Sequence, residues 1–335
     1  MNVYVSNADS REIGILSLDP KSGDVTPIER VTVSGTVMPL ALSPDRRFLY
    51  AALRSEPFSI ASFSVDQHSG RLAHISTVPI PASMPYIATD RAGRFLLSAS
   101  YQSSLIAVSP IAADGAVEPQ PVTEIATQPK AHAIMTDPSN RFVYVSSLGG
   151  DIVHCYRFDA ATGRLSPNDA RAVHVKPGAG PRHFVFHPSG RFLYLLNELD
   201  ASLIAYAFDA RSGALTEIGS VSALPPGFAG TPSAADLHAT PDGRFLYASE
   251  RASSTIAAFR VDAASGMLSA IGNVETETVP RGFNIDAHGR FLLAVGLKSN
   301  AMTVYAIDGE SGRLDARGRY PMGEGPNWVE IVAFR

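Results

Sequence analysis

Short apolar runs of five to seven residues, broken by turn residues at close intervals, dominate the pattern along the chain. HPSGRFLYLLN, at 187–197, is typical: a Pro-Ser-Gly turn leads into an apolar, β-branched and aromatic strand. No stretch keeps helical periodicity with capping residues at its ends. An Arg-Phe pair opens such a strand six times, at Arg47, Arg94, Arg141, Arg191, Arg244 and Arg290, in steps of 47, 47, 50, 53 and 46 residues. A second marker, a Gly-containing turn of the form D-x-x-S-G, recurs seven times, at Gly23, Gly70, Gly115, Gly163, Gly213, Gly266 and Gly312, with nearly the same rhythm. The Gly115 copy, AADGAV, is degenerate. Each unit reads as four strands, a to d, joined by tight turns.

Four-stranded units repeated at this period predict an all-β fold, a seven-bladed β-propeller of antiparallel blades, in which radial stacking protects the sheet edges. The chain opens within a unit, since MNVYVSN matches RFVYVSS. It closes on GPNWVEIVAFR, which matches the first strand of a unit, GPRHFVFHP. The C-terminal segment is therefore expected to supply the inner strand of the N-terminal blade, closing one domain over 1–335.

Propeller topology puts the a–b and c–d turns on one face and the d–a and b–c connections on the other. The first face carries generic turns such as SPDRR, HPSGR and TPDGR, for which backbone geometry is a sufficient reason. On the other face the copies diverge. Nine residues before each Arg-Phe pair stand Met38, Pro85, His132, Arg182, Ala235 and Arg281; eight before stand Pro39, Tyr86, Ala133, His183, Asp236 and Gly282. Seven after the Arg come Arg54, Tyr101, Leu148, Glu198, Arg251 and Leu297. Arg54, Arg182, Arg251 and Arg281 are thus expected around one channel mouth with His132, His183, Glu198 and Asp236. Lys298 stands one place further on in its blade. Such a set suits a small anion with acid–base groups beside it.

Other residues read more plainly. His187 holds a turn position that Ser43, Thr240 and Asp286 fill elsewhere. His238, two beyond Asp236, fits a channel-lining histidine as well as a substrate contact. Glu250 and Arg251 can be read as a solvated loop pair, and Trp328 as a packing anchor. No phosphate-cradling G-x-x-x-x-G-K-[ST], H-E-x-x-H or G-x-S-x-G occurs. The arginines among the histidines and carboxylates argue against a metal, and no cofactor is called for.

Composition narrows the partners. The 335 residues are 45% apolar and 18% charged, with a formal net charge of −4, so no basic field favours nucleic acid or anionic membrane. The lone cysteine, Cys155, rules out an intrachain disulfide and reads as a packing residue. MNVYVSNADSREIG lacks a basic start and an apolar stretch, and no apolar run reaches bilayer-spanning length. A cytoplasmic protein, monomeric or weakly homo-oligomeric, is expected.

GAGPRHFVFHP, NEL, AADLHATPDGRFLYASER, PRGFNID, GLKSN and GEGPNWV together resemble the bacterial propeller-type 6-phosphogluconolactonases. More distantly they resemble the fungal propeller enzyme that cyclises carboxymuconate. The resemblance spans essentially the whole chain and implies that His132, Arg182, Glu198 and Arg251 occupy the family's proposed active-site positions. Glu250-Arg251 replaces the Asp-Arg usual in the bacterial members and leaves the Arg intact. The implied reaction is hydrolysis of a sugar-acid lactone, with 6-phosphoglucono-1,5-lactone as the expected substrate. Glu198 is then the expected base, with His132 or His183 as the alternative or as the acid. Arg182 is the expected oxyanion donor or carboxylate clamp, and Arg251, Arg281 and Arg54 hold the distal anion. A muconate-type cycloisomerase and a lactonase for an unphosphorylated aldonolactone fit the same residues. A propeller serving as an interaction scaffold is the rival of another class.

Overall fold

The computed structural model describes residues 1–169 and 172–334. Seven antiparallel sheets surround one channel, each with four strands in the order a-b-c-d from the axis outward. Blade 1 is composite. Its inner strand Pro326–Val332 pairs with Asn2–Asn7, which continues through Glu12–Leu18 to Val25–Thr32. Blades 2 to 7 then run in chain order, with inner strands Val37–Leu42, Tyr86–Thr89, Ala131–Thr136, Pro181–Phe186, Ala234–Ala239 and Pro280–Ile285. The fourth blade adds a two-residue strand, Val173–His174, which pairs with the start of its third strand, Ile152–Asp159. One 3₁₀ turn, Leu148–Gly150, is the only helical element among the described residues.

The closure and the blade count agree with the repeat reading. The generic markers, however, do more than form turns. The Phe of each Arg-Phe pair packs on the Gly of a neighbouring blade's D-x-x-S-G turn: Phe142 on Gly213, Phe192 on Gly266 and Phe245 on Gly312. A Cβ on Gly213 would stand 2.8 Å from the Phe142 ring, and its φ of +76° already favours glycine. Two residues after the Phe, Tyr144, Tyr194 and Tyr247 donate their hydroxyls to the carbonyls of those same glycines. The Arg closes the clamp: Arg141 and Arg191 donate to the turn carbonyls of Ala210 and Ala263, and Arg94 to Ala161 at 3.0 Å. Both repeat markers are thus halves of one contact that locks blade to blade. Core packing, with b-strand residues such as Leu193, Leu195 and Leu246 fully buried, completes the inter-blade interface.

Candidate active site

The divergent columns of the repeat fall on a recurring backbone irregularity. In six blades the inner strand slips register against strand b at its second residue, leaving Met38-Pro39, His132, Arg182, Ala235-Asp236, Arg281 and Asn327 in β-bulges. A bulge re-aims the extra side chain away from the ordinary in–out alternation, here at the channel mouth. Hydroxyls on strand b partner the displaced backbone. Ser146 accepts from the Ala133 amide and donates to the Arg182 carbonyl, and Ser249 accepts from the Asp236 amide. Asp151 anchors the entry to the fifth blade by accepting from the amides of Gly178 and Gly180, at 2.7 and 2.9 Å. Both glycines have φ above +70°, so the GAG run turns tightly into Pro181 and Arg182.

Arg182 is only 1% exposed. Its Nε donates to Glu198 Oε2 at 2.8 Å, and an Nη donates to the Ala235 carbonyl of the next blade. Glu198 Oε1 lies 3.0 Å from an Nη of Arg251, so one carboxylate bridges two guanidiniums. Arg251 also donates to the Ser233 carbonyl at 2.9 Å. Burial pushes the Glu198 carboxyl up, but Arg182 and Arg251 outweigh it and hold the group below its ordinary range. Arg281 projects into the same space and makes no side-chain hydrogen bond or ion pair among the described residues. Burial, then repulsion from Arg182, Arg251 and Arg54, drives its pKa well down. Arg54 is held by Ser83 Oγ at 2.9 Å and by Met38 Sδ. Four guanidiniums therefore cluster around a carboxylate that pairs with only two of them, an arrangement that favours an incoming anion.

Beside this cluster, Asp236 is fully engaged. Oδ1 accepts from the Leu237 amide and lies 2.9 Å from His183 Nδ1. Oδ2 accepts from the Phe283 amide of the seventh blade and lies 3.3 Å from His238 Nε2. The carboxyl is held well below its usual range: burial opposes ionisation, and His238 and His183 overcome it. His183 is driven down to about 4 by burial and by Arg182, and His132 well below its usual value by burial and the same arginine. Both rings are therefore neutral near pH 7. Their centroids are 5.2 Å apart, and His132 Nδ1 and His183 Nε2 are buried without a partner among the described residues. Tyr86 and Trp328 pack edge-on around His183, at 5.1 and 5.9 Å. Trp328 Nε1 donates to Glu330 in the channel, whose carboxyl burial pushes up to about 7.

The sequence profile described as "Lactonase, 7-bladed beta-propeller" matches residues 2–331. The chain belongs to this lactonase family. Among its relatives, the 6-phosphogluconolactonase of Pectobacterium carotovorum subsp. carotovorum is 40% identical over 331 residues, covering 99% of this chain and 98% of that one. The 6-phosphogluconolactonase of Yersinia pestis is 40% identical over 329 residues, covering 98% and 97%. Among solved structures, the periplasmic gluconolactonase of Pseudomonas aeruginosa superposes with a TM-score of 0.93 at 29% identity, covering 100% of this chain and 99% of that one. A Bacteroides fragilis protein described as a putative 6-phosphogluconolactonase gives 0.91 at 26%, covering 99% and 98%.

Within this lactonase-family propeller, nine of the ten residues singled out by the sequence lie in the two adjoining clusters: Arg54, Arg182, Glu198, Arg251 and Arg281, and His132, His183, Asp236 and His238. Lys298 does not join them. It is exposed in the turn after Phe291–Gly296, and its side chain makes no hydrogen bond or ion pair among the described residues. The reading of Glu250 and Arg251 as a solvated pair is corrected. Glu250 is fully buried and accepts from the amides of Ser233 and Ser253, fixing the loop that carries Arg251. His187 is a turn residue, bonded to Ser189 Oγ and to the Gly243 carbonyl. Sequence reasoning missed Asn327 and Glu330 and cast Trp328 only as a packing anchor. Blade 1 lacks the Arg-Phe pair on which the copies were aligned. The match of GPNWV to GPRHF, which served above only for closure, puts Asn327 opposite Arg182 and Trp328 opposite His183. No helix among the described residues is long and apolar enough to cross a membrane.

Proposed function

We propose that this chain hydrolyses the lactone ring of 6-phosphoglucono-1,5-lactone at the channel mouth. The observation that carries the reading is a cluster of four guanidiniums, only two of them paired with its carboxylate, beside two neutral imidazoles with unpartnered nitrogens. Relatives named for this activity, at 40% identity over nearly the full length, support it. In the reaction, water attacks the carbonyl carbon and gives a proton to an imidazole. The carbon–ring-oxygen bond then breaks, and the imidazolium returns the proton to the departing alkoxide. Arg251 and Arg281 face the substrate and take the oxyanion and the phosphate, with Arg54 behind them. Arg182 has its Nε and an Nη engaged and is almost fully buried, so it holds Glu198 and adds positive potential from beneath. Glu198, clamped by two cations and weakly basic, positions those arginines. Both of its oxygens are engaged by guanidiniums, whereas His132 Nδ1 and His183 Nε2 have no partner among the described residues. The proton therefore goes to a histidine.

All these groups come from one chain, which supports a site complete in a single copy. A doubly charged phosphosugar does not cross lipid unaided, which supports a cytoplasmic location. The Pseudomonas neighbour, a periplasmic gluconolactonase by its description, favours a second reading, hydrolysis of the unphosphorylated lactone. Hydrolysis is followed at fixed pH against the spontaneous opening of each lactone. The wild type is expected to accelerate opening of the phosphorylated lactone, and Arg251→Ala to lower that rate about 10²–10³-fold. A wild-type rate equal to the spontaneous one would remove the proposal.

A further inference from the structure

Asp236 joins two histidines on opposite sides, and the lactonase reading alone does not explain why. An ionised carboxylate only accepts hydrogen bonds, so the His183 nitrogen 2.9 Å from Oδ1 must carry the proton. The neutral ring then has its lone pair on Nε2, the nitrogen that is buried with no protein partner. The amides of Leu237 and Phe283 fix the carboxylate plane from two blades, and His238 Nε2 occupies the remaining side at 3.3 Å. Tyr86 and Trp328, edge-on, and His132 beside them leave the ring little freedom to flip. Trp328 is in turn tied to Glu330.

We propose that His183 is the base that activates water for lactone opening, and that Asp236, backed by His238, is the residue that sets its tautomer and orientation. The proposal rests on the lactonase reading and adds to it which nitrogen takes the proton. Water gives a proton to His183 Nε2 as its oxygen bonds to the carbonyl carbon. The imidazolium, still bonded through Nδ1–H to Asp236, returns that proton to the ring oxygen as its bond to carbon breaks. The charged and titratable groups around His183 are Arg182 on its own strand, His132, Asp236 and His238, Tyr86 and Arg281. Asp236 alone among them pulls the imidazole toward protonation; burial, Arg182 and Arg281 push the other way.

Two measurements test this. In ¹⁵N-histidine-labelled wild type, imidazole spectra between pH 5 and 8 should show His183 neutral with its proton on Nδ1; a proton on Nε2 would overturn the dyad without reference to any activity. In Asp236→Asn, kcat for the phosphorylated lactone should fall about 10²–10⁴-fold, with KM changed less than about threefold. The acid limb of its residual rate should move to lower pH, because the charge that raises the His183 pKa is gone. A purely structural Asp236 would lower thermal stability and leave that limb in place. Retention of kcat within about threefold would overturn the catalytic role, as would an unmoved limb. If wild type opens no lactone, the functional reading falls, and the tautomer still decides the dyad.

Discussion

Glu198→Gln keeps the shape of the side chain and removes one charge from a cluster that is already short of anions. Arg182, 1% exposed, then loses its one ionic partner among the described residues while Arg251 and Arg281 remain beside it. Removing one member of a buried pair costs about 3–5 kcal/mol, and the 19% exposure of the Glu198 side chain points to the lower end, roughly 3. With an unfolding entropy of about 2.1 cal/mol/K per residue, a chain of 335 residues should lose about 4 °C in Tm at pH 7. The sign with pH follows from the depressed carboxyl. Its contribution is fully present above the unfolded value near 4.5 and is lost as pH falls through the lower folded value, so the two proteins should converge in acid. Inorganic phosphate gives a second handle. At about a hundredfold over its Kd, an anion that binds only the folded state adds about 2.7 kcal/mol, close to the whole deficit. The variant should therefore be rescued by phosphate more than the wild type is. Thermal melts in anion-poor buffer, with and without phosphate, read both effects. Equal Tm values within about 1 °C, or a variant indifferent to phosphate, would refute the charge-cluster reasoning.

Three other outcomes are expected. Arg281→Ala should raise KM for the phosphorylated lactone about tenfold or more, with a smaller change for the plain lactone, by steady-state kinetics with both; one lost charge-assisted contact of about 1.5–3 kcal/mol accounts for it. Glu330 holds its proton in the fold up to about pH 7, so in wild type this group subtracts stability as pH rises from about 4.5 to 7. Glu330→Gln should remove that slope and gain on the order of 1–3 kcal/mol relative to wild type at pH 8, by denaturant titration. Gly213→Ala should cost about 1–3 kcal/mol in the same assay, since its Cβ would meet the Phe142 ring and the φ of +76° strains any other residue.

The blade count, the strand exchange at the termini and most of the mouth were legible because each blade repeats one strand pattern at one period. Residues that break the pattern then stand out in columns. Structure supplied what the columns cannot carry. A period of 46 to 53 residues puts Arg182 and Glu198 at the two ends of one hairpin, but says nothing of the bulge that turns Arg182 inward. Nor does it say that the Glu198 carboxylate reaches across to Arg251 in the next blade. Type alone made Lys298 look like a member of the cluster; only its exposure separates it. The Arg-Phe pair and the Gly turn looked like local turn chemistry because their contact joins residues about 70 positions apart, such as Tyr144 and Gly213. Blade 1, with no Arg-Phe pair, hid Trp328 and Glu330 from the alignment.

The proposed function turns on recognition of a phosphorylated sugar lactone by the channel mouth. It is tested most directly by the ratio of kcat/KM for 6-phosphoglucono-1,5-lactone to that for glucono-1,5-lactone, corrected for spontaneous opening, in the wild type. The excess of guanidiniums over carboxylates in the cluster predicts a ratio of about 10² or more, the worth of one or two charge-assisted contacts. A ratio near one, or one favouring the plain lactone, would contradict it.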